Sequence, residues 1–169
     1  FFDITERRRA EEALRDSNTQ YRIQSQRLAA LITNLPEGVL IETPQRGVQH
    51  VNQNFCNLFG LNVPPAALIG ADCRLAALQI KDLFVHSEDF LASIETSLNS
   101  GGRVLNQELA LRDGRVFERD YIPVEIGPAQ HEHVWLYRDI TARKQADHAL
   151  RESQSLYHSL VEVSPLCIC

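Results

Sequence analysis

The sequence of 169 residues predicts an α+β fold: a five-stranded antiparallel sheet with short helices on one face, flanked by a long helix at each end of the chain. Two observations lead to this prediction. One polar stretch, rich in helix-forming residues, occurs at the start of the chain and again near its end. Between the two copies, short apolar segments alternate with turn residues, and the pair Asp113-Gly114 marks a hairpin.

The repeated stretch reads DITERRRAEEALRDSNTQY from Asp3 and DITARKQADHALRESQSLY from Asp139, with ten of nineteen positions identical. Such self-similarity indicates that one structural unit recurs. A weaker match pairs LITNLPEGVL with LVEVSPLCIC at the end of the chain. We therefore expect residues 1–4 to end a preceding domain and 160–169 to begin a following one, as in a piece of a longer protein.

Each copy predicts a helix with a threonine, Thr5 or Thr141, as its N-cap, because a threonine hydroxyl can accept hydrogen bonds from first-turn amides. The aspartate two residues before each threonine places negative charge near the helix N-terminus, where the helix dipole favours it. In the second copy, the spacing between Asp139 and Arg143 also permits a salt bridge.

The predicted linker helices, 5–35 and 142–159, carry a seam in alternating steps of four and three, which is the heptad pattern of a coiled coil. Serine and glutamine interrupt this seam. Its positions are Ala10, Leu14, Ser17, Tyr21, Gln24, Leu28, Leu31 and Leu35, and then Ala146, Leu150, Ser153, Tyr157 and Leu160. Two interpretations stay open: the helices pair with those of a second copy in a homodimer, or each lies on its own domain.

The region 36–141 is the predicted globular domain, and its first half reads as two strands followed by helices. GVLIE and VQHV flank the turn TPQRG. NQNFCNLFGL predicts a short helix with Asn52 as its cap, and HSEDFLASIETSLNSGG a longer helix that stops at Gly101. The residues between these helices suit short helical turns.

The second half of this region predicts three consecutive antiparallel strands. In RVLNQELAL, apolar and polar residues alternate as in a strand, so Leu105, Leu109 and Leu111 should lie on one side of the sheet. VFERDYIPVEI contains Pro123, which suggests an edge or a bulge at that point. In HEHVWLYRDI, apolar residues fall on both faces, so we expect the short helices to cover one face and the first linker helix the other.

Composition and motifs exclude several functions. The net charge is −5, and residues 36–140 hold 14 acidic against 8 basic residues, which disfavours a nucleic-acid partner. The arginines at 7–9 are interleaved with glutamates, as on a solvated helix face. The sequence has no run of 18 apolar residues, no phosphate-binding loop and no hydrolase or metalloprotease motif. We expect neither membrane contact nor catalysis in this stretch of chain.

The four cysteines, Cys56, Cys73, Cys167 and Cys169, form no CxxC motif, and the last two align in the repeat with positions on a strand. They predict no metal site and no disulfide framework. A reducing cytoplasm is the expected location, although the full-length protein could be anchored to a membrane elsewhere.

The order and spacing of these segments resemble a PAS domain, the bacterial sensor fold. The resemblance is carried by LITNLPEGVLI, VNQNFCNLFG, VHSEDF, LRDGRVFERDYIPV and YRDIT, over about residues 36–140. It implies a module that senses a small molecule, light or redox state, or only dimerises, and passes a conformational change to an output domain. A sensor histidine kinase of a two-component phosphorelay is the expected context. A diguanylate cyclase or phosphodiesterase and a ligand-free dimerisation spacer are the alternatives.

The resemblance also implies where the signal would pass and with what partners. The relay residues expected at the strand-to-helix junction are Asp139, Ile140, Thr141 and Arg143, with Asp3, Ile4 and Thr5 as the upstream copy. The implied partners are a second copy of the chain, adjacent PAS domains, a C-terminal output domain and an unidentified small molecule.

No cofactor is predicted. The segment ADCRLAALQ around Cys73 resembles the photoactive-cysteine segment of the light-sensing (LOV) branch, but an aspartate replaces its asparagine. The positions where that branch carries flavin-binding amides hold Leu109, Arg119 and Tyr137. Haem is not expected either, because no histidine has the spacing of a metal site and His86 is better explained as a helix cap.

Overall fold

The computed structural model describes residues 3–162, in which a five-stranded antiparallel sheet and three shorter helices lie between two long terminal helices. The helices are α1 (Asp3–Asn34), α2 (Gln53–Leu58), α3 (Cys73–Ile80), α4 (Ser87–Asn99) and α5 (Thr141–Glu162), and the strands are β1 (Gly38–Glu42), β2 (Val48–Val51), β3 (Val104–Ala110), β4 (Val116–Gly127) and β5 (Gln130–Asp139). The predicted fold class is confirmed. Of the following domain predicted for 160–169, residues 160–162 belong to α5, and residues 163–169, with Cys167 and Cys169, lie outside the described residues.

The strand order is β2-β1-β5-β4-β3, so the last strand lies in the middle of the sheet. Trp135 of β5 is paired with Leu40 of β1 on one side and with Tyr121 of β4 on the other. β3 pairs with β4 only as far as Tyr121, so beyond this residue β4 has a neighbour only on the β5 side. Pro123 lies in this part of β4, at the local edge that its missing N–H predicts.

An aromatic cluster on one face of the sheet, here called the inner face, forms the core beneath the short helices. The ring of Phe59 lies 4.7 Å from that of Phe55, 5.0 Å from that of Tyr137 and 5.6 Å from that of Phe117, measured between centroids. α4 buries Phe90 on the face that its periodicity predicts. Tilted and edge-on ring pairs such as these stabilise a core beyond the apolar area that they bury.

β3 departs from the predicted alternation at its start. Leu109 and Leu111 are buried, whereas Leu105 is 51% exposed. The register of β3 against β4 shifts between Val104 and Gln107, and Asn106 has a φ of 57°, in the left-handed region. This bulge turns Leu105 to solvent, so the prediction that all three leucines share one side is wrong.

α1 does not cover the other face of the sheet, here called the outer face, because none of its residues is buried. Val134 and Leu136 on this face remain half-buried. The prediction that the first linker helix packs on its own sheet is therefore wrong. Thr5 lies inside α1, which extends to Asp3, and so it is not the N-cap. No helix within residues 3–162 is both long and apolar enough to span a bilayer.

Candidate functional site

The junction between β5 and α5 is fixed by hydrogen bonds to Val116, the first residue of β4. The amide of Ile140 donates to the Val116 carbonyl at 2.9 Å, and the Val116 amide donates to Thr141 Oγ1 at 3.0 Å. The Ile140 carbonyl accepts from the Lys144 amide at 2.9 Å, so Ile140 stands at the cap position predicted for Thr141. Ile140 is only 4% exposed, and the strand therefore runs into the helix without a free segment between them.

Asp139, the residue before that cap position, accepts hydrogen bonds from the first residue of α5. Its Oδ1 accepts from the Thr141 amide at 2.9 Å and also from the Thr141 hydroxyl. Because Asp139 is engaged in this way, the predicted salt bridge from Asp139 to Arg143 is not formed. Arg143 Nη2 donates instead to Glu118 Oε2 at 2.8 Å.

A chain of ion pairs crosses the outer face of the sheet, and we call Glu37, Arg138, Glu118 and Arg143 the outer-face ion chain. Arg138 Nε donates to Glu37 Oε1 at 2.9 Å, and Arg138 Nη1 donates to Glu118 Oε1 at 2.6 Å. Arg138 Nη2 also donates to Asp120. The chain therefore links the residue before β1 to the first turn of α5.

Glu118 is the centre of this chain. It is 6% exposed and accepts from two guanidinium groups, one on β5 and one on α5. The hydrogen bond from Arg143 lowers the pKa of Glu118, with Arg138 acting in the same direction against the effect of burial. Glu118 is thus held as a carboxylate at neutral pH.

Asn52 fastens the end of α1 to the domain at the entry side. Its Oδ1 accepts from the amides of Phe55 at 3.0 Å and Val39 at 2.9 Å, which confirms Asn52 as the cap of α2. Its Nδ2 donates to the carbonyls of Ile32 at 3.0 Å and Glu37 at 2.8 Å. Asn52 therefore ties Glu37, the first residue of the outer-face ion chain, to Ile32 near the end of α1.

Of the predicted relay residues, the structure brings Asp139, Ile140, Thr141 and Arg143 together at one joint. It places the upstream copy, Asp3, Ile4 and Thr5, within α1 with exposed side chains, and their part in a preceding junction stays a prediction.

Sequence reasoning missed Glu37, Glu118 and Arg138. Side chains alternate between the two faces of a strand, so the pattern in β4 and β5 would have placed Glu118 and Arg138 on the outer face. These two residues carry opposite charges. Their direct pairing across the strands becomes visible only with the register, which the sequence pattern did not supply.

A cavity of about 110 Å³ lies on the inner face, between the sheet, α3 and α4. Most of its lining is apolar, and Trp135 and Tyr137 of β5 form part of its wall. Glu42 and Arg46 also line it and form an ion pair with each other. Burial raises the pKa of Glu42, and the charge of Arg46 opposes this shift.

Cys73, in the segment that resembles the photoactive-cysteine segment of the LOV branch, lies in the wall of the cavity. Burial raises the pKa of the Cys73 thiol to about 12, so it is almost entirely protonated at neutral pH and weakly reactive. Leu109, Arg119 and Tyr137, which stand where flavin-binding amides would be, are all buried. Within the described chain, no three His, Cys, Asp or Glu side chains are grouped to hold a metal ion. His86 occupies the cap position of α4, but its side chain makes no capping hydrogen bond, contrary to the prediction.

Comparisons with known proteins agree with this architecture. A sequence model described as a PAS domain matches residues 26–96. None of the curated proteins resembles the chain closely enough to count as a match.

Among solved structures, the PAS domain of BvgS from Bordetella pertussis is 18% identical, with a TM-score of 0.53, over 80% of this chain and 98% of that one. An RNA-binding Light-Oxygen-Voltage receptor is 20% identical, with a TM-score of 0.53, over 76% of this chain and 36% of that one. The sensor region of a sensor histidine kinase is 17% identical, with a TM-score of 0.50, over 63% of this chain and 40% of that one. At these identities the likeness to solved structures shows a PAS-like fold, and the PAS-domain sequence model matches residues 26–96 of this chain.

Proposed function

We propose that the chain is a sensory and relay module of a multi-PAS bacterial sensor protein, which passes a conformational change from its sheet through α5 to an output domain. The observation that carries this proposal is the joint at Ile140 and Thr141, braced by the outer-face ion chain from Glu37 to Arg143. A sensor needs a rigid connection between its binding element and its output, and this joint supplies one.

β5 connects the two faces of the sheet. Trp135 and Tyr137 line the cavity, whereas Arg138, the next residue, points to the outer face and holds both Glu37 and Glu118. A molecule that enters the cavity and displaces the inner side of β5 would therefore also displace Arg138. It would shift the position of α5 only to the extent that it binds the two arrangements with different affinities.

The linker helices are proposed to pair with those of a second copy. The apolar positions of the seam are exposed in the isolated chain, among them Leu28 at 61% and Leu150 at 58%. A long helix gains most of its stability from packing an apolar face, and α1 buries none within its own domain. A coiled-coil homodimer would cover this seam and carry a rotation or a shift of register onward.

The output domain is proposed to be a histidine kinase of a two-component phosphorelay, and the fold's likeness to the sensor region of such a kinase supports this choice. A diguanylate cyclase or phosphodiesterase is the alternative output, and a ligand-free spacer the alternative function. The module itself is proposed to be non-catalytic, to contact adjacent PAS domains and to lie in the cytoplasm. Its free, buried thiols Cys56 and Cys73 are compatible with a reducing compartment.

The relay is tested by removing one charge from the ion chain and measuring hydrogen exchange in α5. Glu118→Gln should accelerate exchange at the first-turn amides of α5, because Arg143 loses its ionic partner on the sheet. Glu125→Gln, an exposed change on the same strand, is the matched control and should leave these amides unchanged. Equal exchange in the native chain and in the Glu118 variant would show that the outer-face ion chain does not brace the helix, and the proposed relay through it would fail.

A further inference from the structure

We propose that His133 makes β5 sensitive to protons: protonation of its ring breaks the hydrogen bond from Tyr121 and favours a second arrangement of this part of the sheet. The inference rests on the proposed relay function and adds to it one signal, the acidity of the surroundings. It concerns a different place from the core cavity, whose lining in the described chain includes neither residue.

His133 lies at the last position along β5 where this strand has a neighbour on both sides. In the register it is opposite Glu42 of β1 and Pro123 of β4. Its side chain is half-buried, and its ring lies 5.9 Å from that of Tyr121 between centroids. Its Nδ1 lies 3.0 Å from the Tyr121 hydroxyl oxygen. β5 continues from this position to Asp139 and α5, so a change here occurs in the strand that leads to the output helix.

The Tyr121 hydroxyl donates this hydrogen bond. Tyr121 is 2% exposed, and among residues 3–162 the bond to His133 is the one that the structure gives to its hydroxyl. A buried hydroxyl hydrogen without an acceptor is costly, so the hydrogen points to Nδ1 and the neutral ring carries its own hydrogen on Nε2. Burial raises the pKa of Tyr121, so the hydroxyl keeps its hydrogen.

A proton on His133 removes the acceptor of this bond. The charged ring carries a hydrogen on both nitrogens, so Nδ1 can then only donate. Two hydrogens would face each other between Nδ1 and the Tyr121 oxygen, unless the hydroxyl turns its hydrogen elsewhere. The bond as it stands in the structure therefore exists only with a neutral His133.

The groups around His133 oppose its protonation. Burial lowers the pKa of His133, and the charges of Arg46 and His131 act in the same direction. Glu42, the acid opposite His133 on β1, is engaged by Arg46. On β4, Glu125 is opposite His131 and not opposite His133. His133 is therefore neutral at neutral pH and takes up a proton only below the usual histidine value of about 6.5.

This lowered affinity couples proton uptake to a change of conformation. Because the folded arrangement lowers the pKa of His133, proton uptake favours an arrangement in which the ring is better hydrated. A proton shifts the balance only by the ratio of its affinities for the two arrangements. A difference of about one pKa unit between them gives at most about a tenfold change in their populations.

Trp135 is a built-in probe of this change. It is the single tryptophan of the chain, is 1% exposed, and its ring lies 4.6 Å from that of Tyr121. We expect the tryptophan fluorescence of the native chain to change between about pH 7.5 and pH 5, with a midpoint below about 6.5 that equals the midpoint of the His133 ring in an NMR titration. A constant fluorescence over this range would overturn the inference, and so would two different midpoints.

Three histidine variants identify the group that takes up the proton. His133→Gln should abolish the fluorescence transition, while His148→Gln, a change at an exposed histidine of α5, should leave it unaltered. His131→Gln should keep the transition and move its midpoint to higher pH, because a charge that opposes proton uptake is removed. A transition that persists in His133→Gln would assign the proton to another group, such as Glu42, and would overturn the inference.

The agreement of the two midpoints in the native chain and the shift in His131→Gln decide the question even where His133→Gln does not fold. The pKa of Glu118 is lowered, so this carboxylate stays ionised over the range of the titration and adds no transition of its own. Both readouts concern β4 and β5 and do not depend on exchange in α5. A failure of the proton inference is therefore distinguishable from a failure of the relay.

Discussion

At the scale of single residues, Glu118 links the sheet to α5 through two ionic hydrogen bonds. One of its oxygens accepts from Arg138 on β5 and the other from Arg143 on α5. Both bonds are charge-assisted while Glu118 is ionised, and protonation of Glu118 would weaken them. Because the pKa of Glu118 is lowered in the folded chain, chiefly by Arg143, the ionisation of Glu118 contributes to the stability of the fold.

A pH dependence of stability follows from this direction of shift. A carboxyl whose pKa is lowered by folding contributes stability that is fully present above its unfolded-state pKa and is lost as pH falls through the folded value. The native chain should therefore unfold at a higher temperature than Glu118→Gln at pH 7. The difference should shrink below about pH 4.3, the usual pKa of a glutamate. Thermal unfolding of both proteins between pH 7 and pH 3 measures this, and a difference that stays constant would contradict the assignment.

At the scale of elements, the packing of α2 on β1 depends on Gly38. A Cβ at this position would lie 2.8 Å from Leu58 Cδ1 and 3.0 Å from Phe55 Cα. The second atom belongs to backbone, so the side chain of Leu58 could yield but the axis of α2 would also have to move. The close approach of helix and strand is therefore possible only without a side chain at position 38.

Gly38→Ala should destabilise the domain by about 1–3 kcal/mol, the usual cost of an overpacked core. For a domain of this size, each kcal/mol corresponds to about 4–8 °C in unfolding temperature. Gly102→Ala is the control, because a Cβ there would meet no atom within 4 Å. Comparable unfolding temperatures for the two variants would show that α2 adjusts freely.

Elements governed by local chemistry were predictable from the sequence. Asn52 caps α2, α4 turns Phe90 inward, and Asp113-Gly114 makes the hairpin, because each depends on residues close in the chain. The bulge in β3 was not predictable, since the Asn106 amide is held at 2.7 Å by Asp120 Oδ1 on the neighbouring strand.

The candidate site follows the same division. A helix that begins at the repeated DIT segment was predicted, but with Thr141 as its cap, whereas Ile140 holds the cap position and Asp139 accepts from the Thr141 amide. The pairing of Arg143 with Glu118 could not be predicted, because the two residues are 25 positions apart and meet only through the register of β4 on β5.

At the scale of the whole molecule, the two linker helices present an apolar seam without a partner in the isolated chain. Seam residues on α1 and α5 recur at heptad spacing, and their apolar members are exposed. In a coiled coil built on such a seam, the number of residues between contacts fixes which face of each helix points to its partner. Rotation of one end of the helix would therefore be transmitted to the other end. The oligomeric state and the phase of α5 can each be tested separately.

Replacing Leu28 with lysine should convert a dimer into a monomer, because a charge in the seam must be desolvated when the helices pair. Light scattering should give a native mass of twice 19.1 kDa and a single-chain mass for the variant at equal concentration. Gln26→Lys, a change outside the seam, should remain dimeric. A monomeric native chain would remove the coil from the mechanism.

Lengthening α5 between Arg143 and Tyr157 in the protein with its output domain tests the phase directly. Seven added residues make almost two whole helical turns, so the seam keeps its direction and output should stay largely intact. Four added residues rotate the seam by about 40° and should disturb the output. Output is measured as the activity of the attached domain with and without stimulus. Equal effects of the two insertions would exclude transmission by phase.

The central position of β5 also bears on how the domain is made. The first half of the domain supplies the antiparallel pair β1–β2, and the second half supplies the pair β3–β4. β5 lies between these two pairs and joins them into one sheet. During synthesis this strand emerges after all the others, and it must insert between β1 and β4 across a separation of about 100 residues. Such late, long-range pairing is slow. A nascent chain therefore cannot complete its sheet until its last strand arrives, and only then does α5 gain an anchored start.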